Sequence, residues 1–340
     1  MGNINIQEGV RLAPFTTFGI GGEARYFVSV QNEEEISEAV TLAEKMGLPI
    51  FVLGGGSNIL VSDRGFQGVV IKNDIKEITF DEKGEEVIAT VGAGEVWDDF
   101  VQEAVTRGLF GIENLSGIPG SVGAGPIQNI GAYGQEISTT LKEVWVFDTK
   151  ERKIFSLSKD ECEFFYRESI FKKKEGKRFI ILRVVFSLQK NGQCHILHQD
   201  LSKRFEKEKI ILSSVREAVL SIRSTKLLDW KMVGNAGSFF KNPFVEDKKV
   251  ALLQEQFPNL TLFRSSEGKT KISAGFLIER LVAKEDRTLG GAEISPTHSL
   301  VIANISNAKS EEVKKLGEII QKIIFEKTGI HLEREVQFIF

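Results

Sequence analysis

Cysteine is nearly absent from this chain: Cys162 and Cys194 are the whole complement of 340 residues. Two thiols cannot build the disulfide framework of a small secreted fold, and without a CxxC spacing they outline no zinc site. The four histidines, His195, His198, His298 and His331, do not stand at metal-ligand spacing to one another, so no metal is expected. An excess of positive charge is missing too. Forty-four basic residues against forty-seven acidic ones leave a net charge of −3, with no global field to drive the counterion release on which nucleic-acid binding depends. Long apolar runs are also lacking. The best candidate, RFIILRVVFSL, is interrupted by Arg183 and falls short of the roughly 18 residues that a membrane span requires. The opening MGNINIQEGVRLAP carries no apolar stretch of signal-peptide type. A reducing cytoplasm is the expected setting, with neither nucleic acid nor membrane as a partner.

What is present belongs to a folded protein. The chain is 41% hydrophobic and 27% charged, which excludes disordered and fibrous classes, and its length suggests two domains. Glycine, at 32 residues against 7 prolines, is concentrated in a few loops. EEEISEAVTLAEKMG places Ile36, Ala39, Val40 and Ala43 at helical spacing behind a capping box of Asn32 and Glu35. PIFVL then reads as a buried strand running into the glycines of GGGSN. Strands are expected at GVVIKN, KEITFD and EVIATVGAG, followed by a helix with Trp97, Phe100, Val101, Ala104 and Val105 on one face. EVWVFD, RFIILRVVFSL and CHILHQD read as further strands, and the basic run from Lys172 to Arg178 as a solvated hairpin. SSVREAVLSIRSTK opens a helix with Ser214 and Glu217 as a second capping box, and the main domain boundary is placed at its start. Helices follow at FVEDKKVALLQEQF, AGFLIERLV and SEEVKKLGEIIQKIIFEKTG, and REVQFIF alternates as a strand does.

Four segments and one carboxylate are chemical candidates. In GGGSN, Gly54, Gly55 and Gly56 leave backbone N–H groups open to an anion, with Ser57 and Asn58 beside them. A tight strand-end turn would use the same glycines, and neither GxGxxG nor a P-loop pattern is matched. The run from Gly111 to Gly134, with seven glycines and little periodicity, is longer than a turn needs. Two separated Gly-rich loops argue for a large phosphate-bearing cofactor between them. Arg167, in YRES among aromatics, suits either an anionic ligand or a surface ion pair. Ser238, in GNAGSFFKNP, stands among small residues that permit close approach of a ligand, yet GxSxG and a Ser-His-Asp set are absent, so proton transfer suits it better than attack. Glu335, in LEREVQF, shares its parity with Gln337, which makes it a solvent-facing strand carboxylate if Val336, Phe338 and Phe340 face the core.

Together these segments resemble the UDP-N-acetylenolpyruvoylglucosamine reductases, the MurB family, in its longer subtype. The carriers are TFGIGG from Thr17, LGGGSN, ENLSGIPGSVGAGPIQNIGAYG, YRESIF, GNAGSFFKNP and LEREV, in that order along the chain. The resemblance implies an α+β protein. A FAD-binding domain of the vanillyl-alcohol-oxidase type, made of two α/β subdomains, would cover 1–213, an α/β substrate-binding domain 214–330, and a C-terminal strand over 331–340 would return Glu335 to the active site. It implies non-covalent FAD, NADPH as reductant, UDP-N-acetylglucosamine enolpyruvate as substrate, and a monomer. Arg167, Ser238 and Glu335 match the family's catalytic residues. Gly54, Gly55, Gly56, Ser57 and Asn58 would contact FAD, as would Gly117, Ile118, Pro119, Gly120 and Ser121, with Gly123, Ile127, Asn129 and Gly131. Tyr133, Lys226, Lys241 and Asn242 fall where the family contacts the UDP-sugar. The longer subtype carries a tyrosine in the loop after the strand expected at 193–198, and His198 aligns with it here. The same loops would also suit another flavin oxidase or dehydrogenase of this fold, or a nucleotide-sugar binding protein without turnover.

Overall fold

In the computed structural model, which describes residues 4–206, 210–264 and 269–340, the first helix forms where its caps place it. Helix α1 (Glu33–Lys45) starts at Asn32, whose side chain accepts from the Glu35 N–H at 2.9 Å, while the Glu35 carboxylate accepts from the Gln31 N–H at 2.6 Å. Its apolar face, Ile36, Ala39, Val40 and Ala43, is buried with Val28, Val30, Val69 and Ile71. Those valines and the isoleucine belong to a four-stranded sheet in the order 6–11, 23–30, 66–73, 50–53, whose last two strands run parallel. A second, five-stranded antiparallel sheet has the order 153–158, 141–148, 179–189, 86–92, 78–83. Helix α2 (Trp97–Thr106) covers it, with Trp97, Phe100 and Phe186 in one aromatic cluster of centroid separations 4.9–6.0 Å. Trp97 Nε1 donates to the Leu115 carbonyl at 2.9 Å and so moors the start of the long Gly-rich run to the core. Helices α3 (Gln199–Arg204) and α4 (Leu212–Lys226) follow.

The chain divides into two compact units: Met1–Val10, Ala24–Gly56 and Gln67–Thr225 form one, and Arg11–Glu23, Ser57–Phe66 and Lys226–Phe340 the other. Helix α4 therefore belongs, except for its last residue, to the first unit, whereas the boundary expected from sequence falls at its start. The second unit contains an antiparallel sheet in the order 234–238, 301–304, 292–294, 288–289 and a three-stranded one, 244–245, 270–272, 262–264. Helices α5 (Asp247–Gln256), α6 (Ala274–Leu281) and α7 (Ser310–Thr328) complete it. Its core joins Phe239, Phe240, Leu277, Leu316, Ile320 and Ile324. Gly329, at φ 62°, ends α7.

Four local expectations are corrected. CHILHQD is not a strand: the His195 carbonyl is taken by the side chain of Asn114 at 2.6 Å rather than by a ladder, and His198 caps α3. The basic run is not a hairpin but two single 3-10 turns, closed by local bonds such as Lys173 N–H to the Ile170 carbonyl at 2.9 Å. Helix α4 begins at Leu212, which buries its side chain, so Ser214 lies inside it and bonds back to Ile211 instead of capping with Glu217. The terminal strand is confined to 337–339, where it pairs in parallel with 59–61. Before that, residues 333–335 bond to 239–241. This change of partner breaks the alternation, so Glu335 and Val336, at 9% and 4% exposure, are both buried.

Candidate functional site

The two Gly-rich loops meet in the first unit. A Cβ on Gly55 would lie 2.5 Å from the Gly120 Cα, and one on Gly54 would strike the Ser121 hydroxyl, so the loops touch backbone to backbone. Part of the glycine content is thus explained by packing. Gly123 is constrained the same way, since a Cβ there would lie 2.5 Å from that of Ala93. What remains is chemically open: among the described residues, the N–H groups of Gly55, Gly56, Gly120 and Ser121 find no acceptor in the chain. Clustered donors of this kind suit the oxygens of a pyrophosphate, and these residues fit FAD. Gly117, at φ 70°, is strapped from both sides: its N–H donates to Asp98 Oδ1 at 2.6 Å and its carbonyl accepts from Arg223 Nε at 3.1 Å. Asp98 is held in turn by both terminal nitrogens of Arg216. Burial works to raise its pKa, but Arg216 and the Gly117 N–H prevail and hold the carboxyl below its ordinary value.

Arg167 is brought onto the same run. Phe165 and Glu168 exchange main-chain bonds at 3.1 Å, which makes Tyr166 and Arg167 the tip of a tight turn, with Arg167 at φ 56°. Its guanidinium donates to the carbonyls of Asn129 and Gly131 at 3.3 and 2.7 Å, and Ser169 Oγ donates to the Ile127 carbonyl at 2.6 Å. Asn129 answers from its own side, its amide donating to the Phe165 carbonyl and to Glu136. Asn129, Tyr133 and Arg167 all adopt positive φ without being glycine, a concentration of backbone strain that is usual at functional sites. Ile118 packs against the core of the second sheet, while Pro119 lies in the irregular stretch just before Gly120.

Tyr133 and His198 also come together, their rings edge to face at 5.1 Å. His198 Nδ1 accepts from the Asp200 N–H at 3.3 Å and lies 3.6 Å from the Asp200 carboxylate. Burial raises the Tyr133 phenol and Asp200 adds to the shift, with Arg223 opposing both. Sequence reasoning missed the supports of this cluster. Asn114 and Glu113 are fully buried; the Asn114 amide donates to the Tyr133 carbonyl at 2.9 Å, and Gln135 links Asn114 N–H to Glu113. Arg223 was missed because one basic residue on an amphipathic helix reads as a solvated one. Its spacing six before Asp229 gives no signal; only the fold turns it toward Gly117.

In the second unit, Ser238 ends the strand 234–238 opposite Val301, after a break in register that follows Asn235. Glu335 reaches the neighbouring position: its N–H donates to the Phe239 carbonyl at 2.8 Å, and its own carbonyl accepts from Asn58 Nδ2 at 3.1 Å. Ser57 and Asn58 continue the GGGSN loop into this unit. Lys241 is buried and ion-paired with Glu333 at 2.6 Å, and Asn242 Oδ1 accepts from the Ala274 N–H at the start of α6. Lys226 is exposed at the end of α4. Burial lowers the His298 imidazole below its ordinary value, and the Lys226 charge acts in the same direction.

Comparison with known proteins agrees with this layout. Residues 24–152 match the family described as FAD binding domain, and residues 229–339 match the UDP-N-acetylenolpyruvoylglucosamine reductase C-terminal domain. The chain is 39% identical over 334 residues to the UDP-N-acetylenolpyruvoylglucosamine reductase of Pseudomonas putida, covering 97% of each. It is also 39% identical over 328 residues to that of Salmonella typhi, covering 96% of this chain and 95% of the other. Among solved structures, UDP-N-acetylenolpyruvylglucosamine reductase from Thermus caldophilus superposes with a TM-score of 0.68 at 27% identity, covering 99% of both chains.

Proposed function

Because the chain belongs to the UDP-N-acetylenolpyruvoylglucosamine reductase family, and is therefore a FAD-binding oxidoreductase of peptidoglycan synthesis, we propose that it reduces UDP-N-acetylglucosamine enolpyruvate to UDP-N-acetylmuramate with NADPH. The observation that supports the residue assignment is the bond from Glu335 N–H to the Phe239 carbonyl, which brings the buried residue Glu335 against the neighbour of Ser238.

The residues assigned to FAD would hold it, and when bound it would supply hydride exchange between NADPH and carbon 3 of the enolpyruvyl group. The rest falls to the chain. A vinyl ether is electron-rich and accepts hydride poorly unless its carboxylate is polarised as charge develops. Arg167 neutralises that charge, its fork oriented by the Asn129 and Gly131 carbonyls, and Glu335 in its protonated form donates a hydrogen bond to the same group. Ser238 then gives its hydroxyl proton to carbon 2 on one face and regains a proton from solvent, so that one hydride and one proton have been added. Tyr133, His198, Lys226, Lys241 and Asn242 are assigned to the UDP-sugar, and Gly54 to Asn58 with the 117–131 run to FAD. The chain acts as a cytoplasmic monomer in this reading. Incubation with the enolpyruvyl substrate should consume one NADPH per substrate and yield a product heavier by two hydrogens; NADPH oxidation independent of substrate would contradict it.

A further inference from the structure

We propose that Asn58 is a positioning residue for Glu335. The inference rests on Glu335 acting as proposed above, and it goes beyond that reading by giving the last residue of the GGGSN loop a second task beside cofactor contact.

The two residues are 277 positions apart in sequence. They meet because 59–61 pairs in parallel with 337–339, Ile59 opposite Gln337. One step before that pair, Asn58 stands opposite Val336, and its carbonyl accepts from the Gln337 N–H at 3.0 Å, as a regular parallel ladder requires. The companion bond of such a ladder would run from the main-chain N–H at 58 to the Glu335 carbonyl. The Asn58 side chain donates to this same carbonyl, Nδ2 to O at 3.1 Å. Glu335 is thereby gripped at both main-chain polar groups, its N–H by Phe239 and its carbonyl by Asn58, and the Phe239 anchor adjoins Ser238.

The residue type follows from this geometry. A short side chain with an amide donor reaches this carbonyl while its own main chain stays in the ladder. Aspartate has the same shape but, when ionised, presents an acceptor to an acceptor. Alanine leaves the Glu335 carbonyl without this donor and the carboxylate free to shift, and a misplacement on the order of 1 Å costs about 100-fold in rate.

The test measures both half-reactions and FAD affinity in Asn58→Ala, Asn58→Asp, Glu335→Ala and the Asn58→Ala/Glu335→Ala pair. In FAD-saturated Asn58→Ala the expected result is a larger loss in reoxidation than in reduction by NADPH, whatever the loss in FAD affinity. Reoxidation by the enolpyruvyl substrate should be slower by about 10- to 100-fold. Adding Asn58→Ala to Glu335→Ala should cost nothing more, because Asn58 acts through Glu335. Asn58→Asp, which keeps the volume, carries the test if the alanine variant does not fold, and lowering the pH to protonate its carboxyl should restore part of the rate. Weaker FAD binding with an unchanged reoxidation rate in the FAD-saturated variant would overturn the proposal and leave Asn58 with cofactor contact alone. Multiplying effects in the pair would also overturn it. Normal turnover in Glu335→Ala would instead remove the catalytic reading itself, and the proposal with it.

Discussion

Arg167 donates from Nη2 to the carbonyl of Gly131 at 2.7 Å, so the cation assigned to the developing enolate is oriented by the glycine-rich run assigned to the flavin. A second bond to Asn129 makes the contact a fork. Lysine carries the same charge but has no planar pair of donors. Arg167→Lys should therefore slow flavin reoxidation by the enolpyruvyl substrate by about 100-fold or more, in the range of a lost oxyanion-stabilising donor. Stopped-flow flavin absorbance checks this, and a rate equal to the parent would mean that charge alone suffices.

Ser238 belongs only to the second half-reaction. Ser238→Ala should leave reduction by NADPH nearly intact and slow reoxidation by about 10²- to 10⁴-fold, the usual worth of a general acid. Equal damage to both halves would assign Ser238 a structural role at the end of its strand.

The strap on Gly117 links Asp98, in the first turn of α2, to a loop assigned to the cofactor. Asp98→Asn removes the charge that Arg216 and the Gly117 N–H both use, and hydrogen bonds to charged groups contribute about 1.5–3 kcal/mol each. Both the urea midpoint and FAD affinity should fall in this variant. The parent should lose the same stabilisation in acid: the Asp98 pKa is lowered from 3.8 on folding, so the contribution is complete above that value and disappears as pH drops through the lower folded one. Fluorescence titration of apoprotein with FAD and urea melts at two pH values measure both.

His298 works with the opposite group type but the same sign. Its imidazole is held below the ordinary 6.5 by burial and by Lys226. As pH falls through 6.5 the unfolded chain takes up a proton that the folded chain still refuses, so stability declines there. The urea midpoint should drop less in His298→Gln than in the parent between about pH 7.5 and 5.5. Identical slopes would show that this histidine does not report on folding.

How far the sequence could be read depended on whether the information was local. Helix α1 was legible from Asn32 and Glu35 to its last turn, because its cap and its stripe lie within one segment. The Gly-rich loops were legible as unusual segments, and the structure brings them into contact, but the sequence could not say which glycines serve packing: a Cβ on Gly123 would lie 2.5 Å from that of Ala93. Glu335 defeated the parity argument because the chain changes partner between 335 and 337, a tertiary event with no local signature. CHILHQD reads as a strand by composition, yet its carbonyl at His195 is claimed by Asn114, 81 residues away. Arg223 and Asn114, which hold Gly117 and Tyr133 in place, carry no motif at all.

One bound flavin is expected to pass hydride from NADPH to an enolpyruvyl ether. This transfer is tested most directly by following the visible spectrum of the purified protein without oxygen. Addition of NADPH should bleach the flavin band, and UDP-N-acetylglucosamine enolpyruvate should then restore it with one equivalent of UDP-N-acetylmuramate formed. A colourless protein, or a band that bleaches and is not restored by this substrate, would contradict the account.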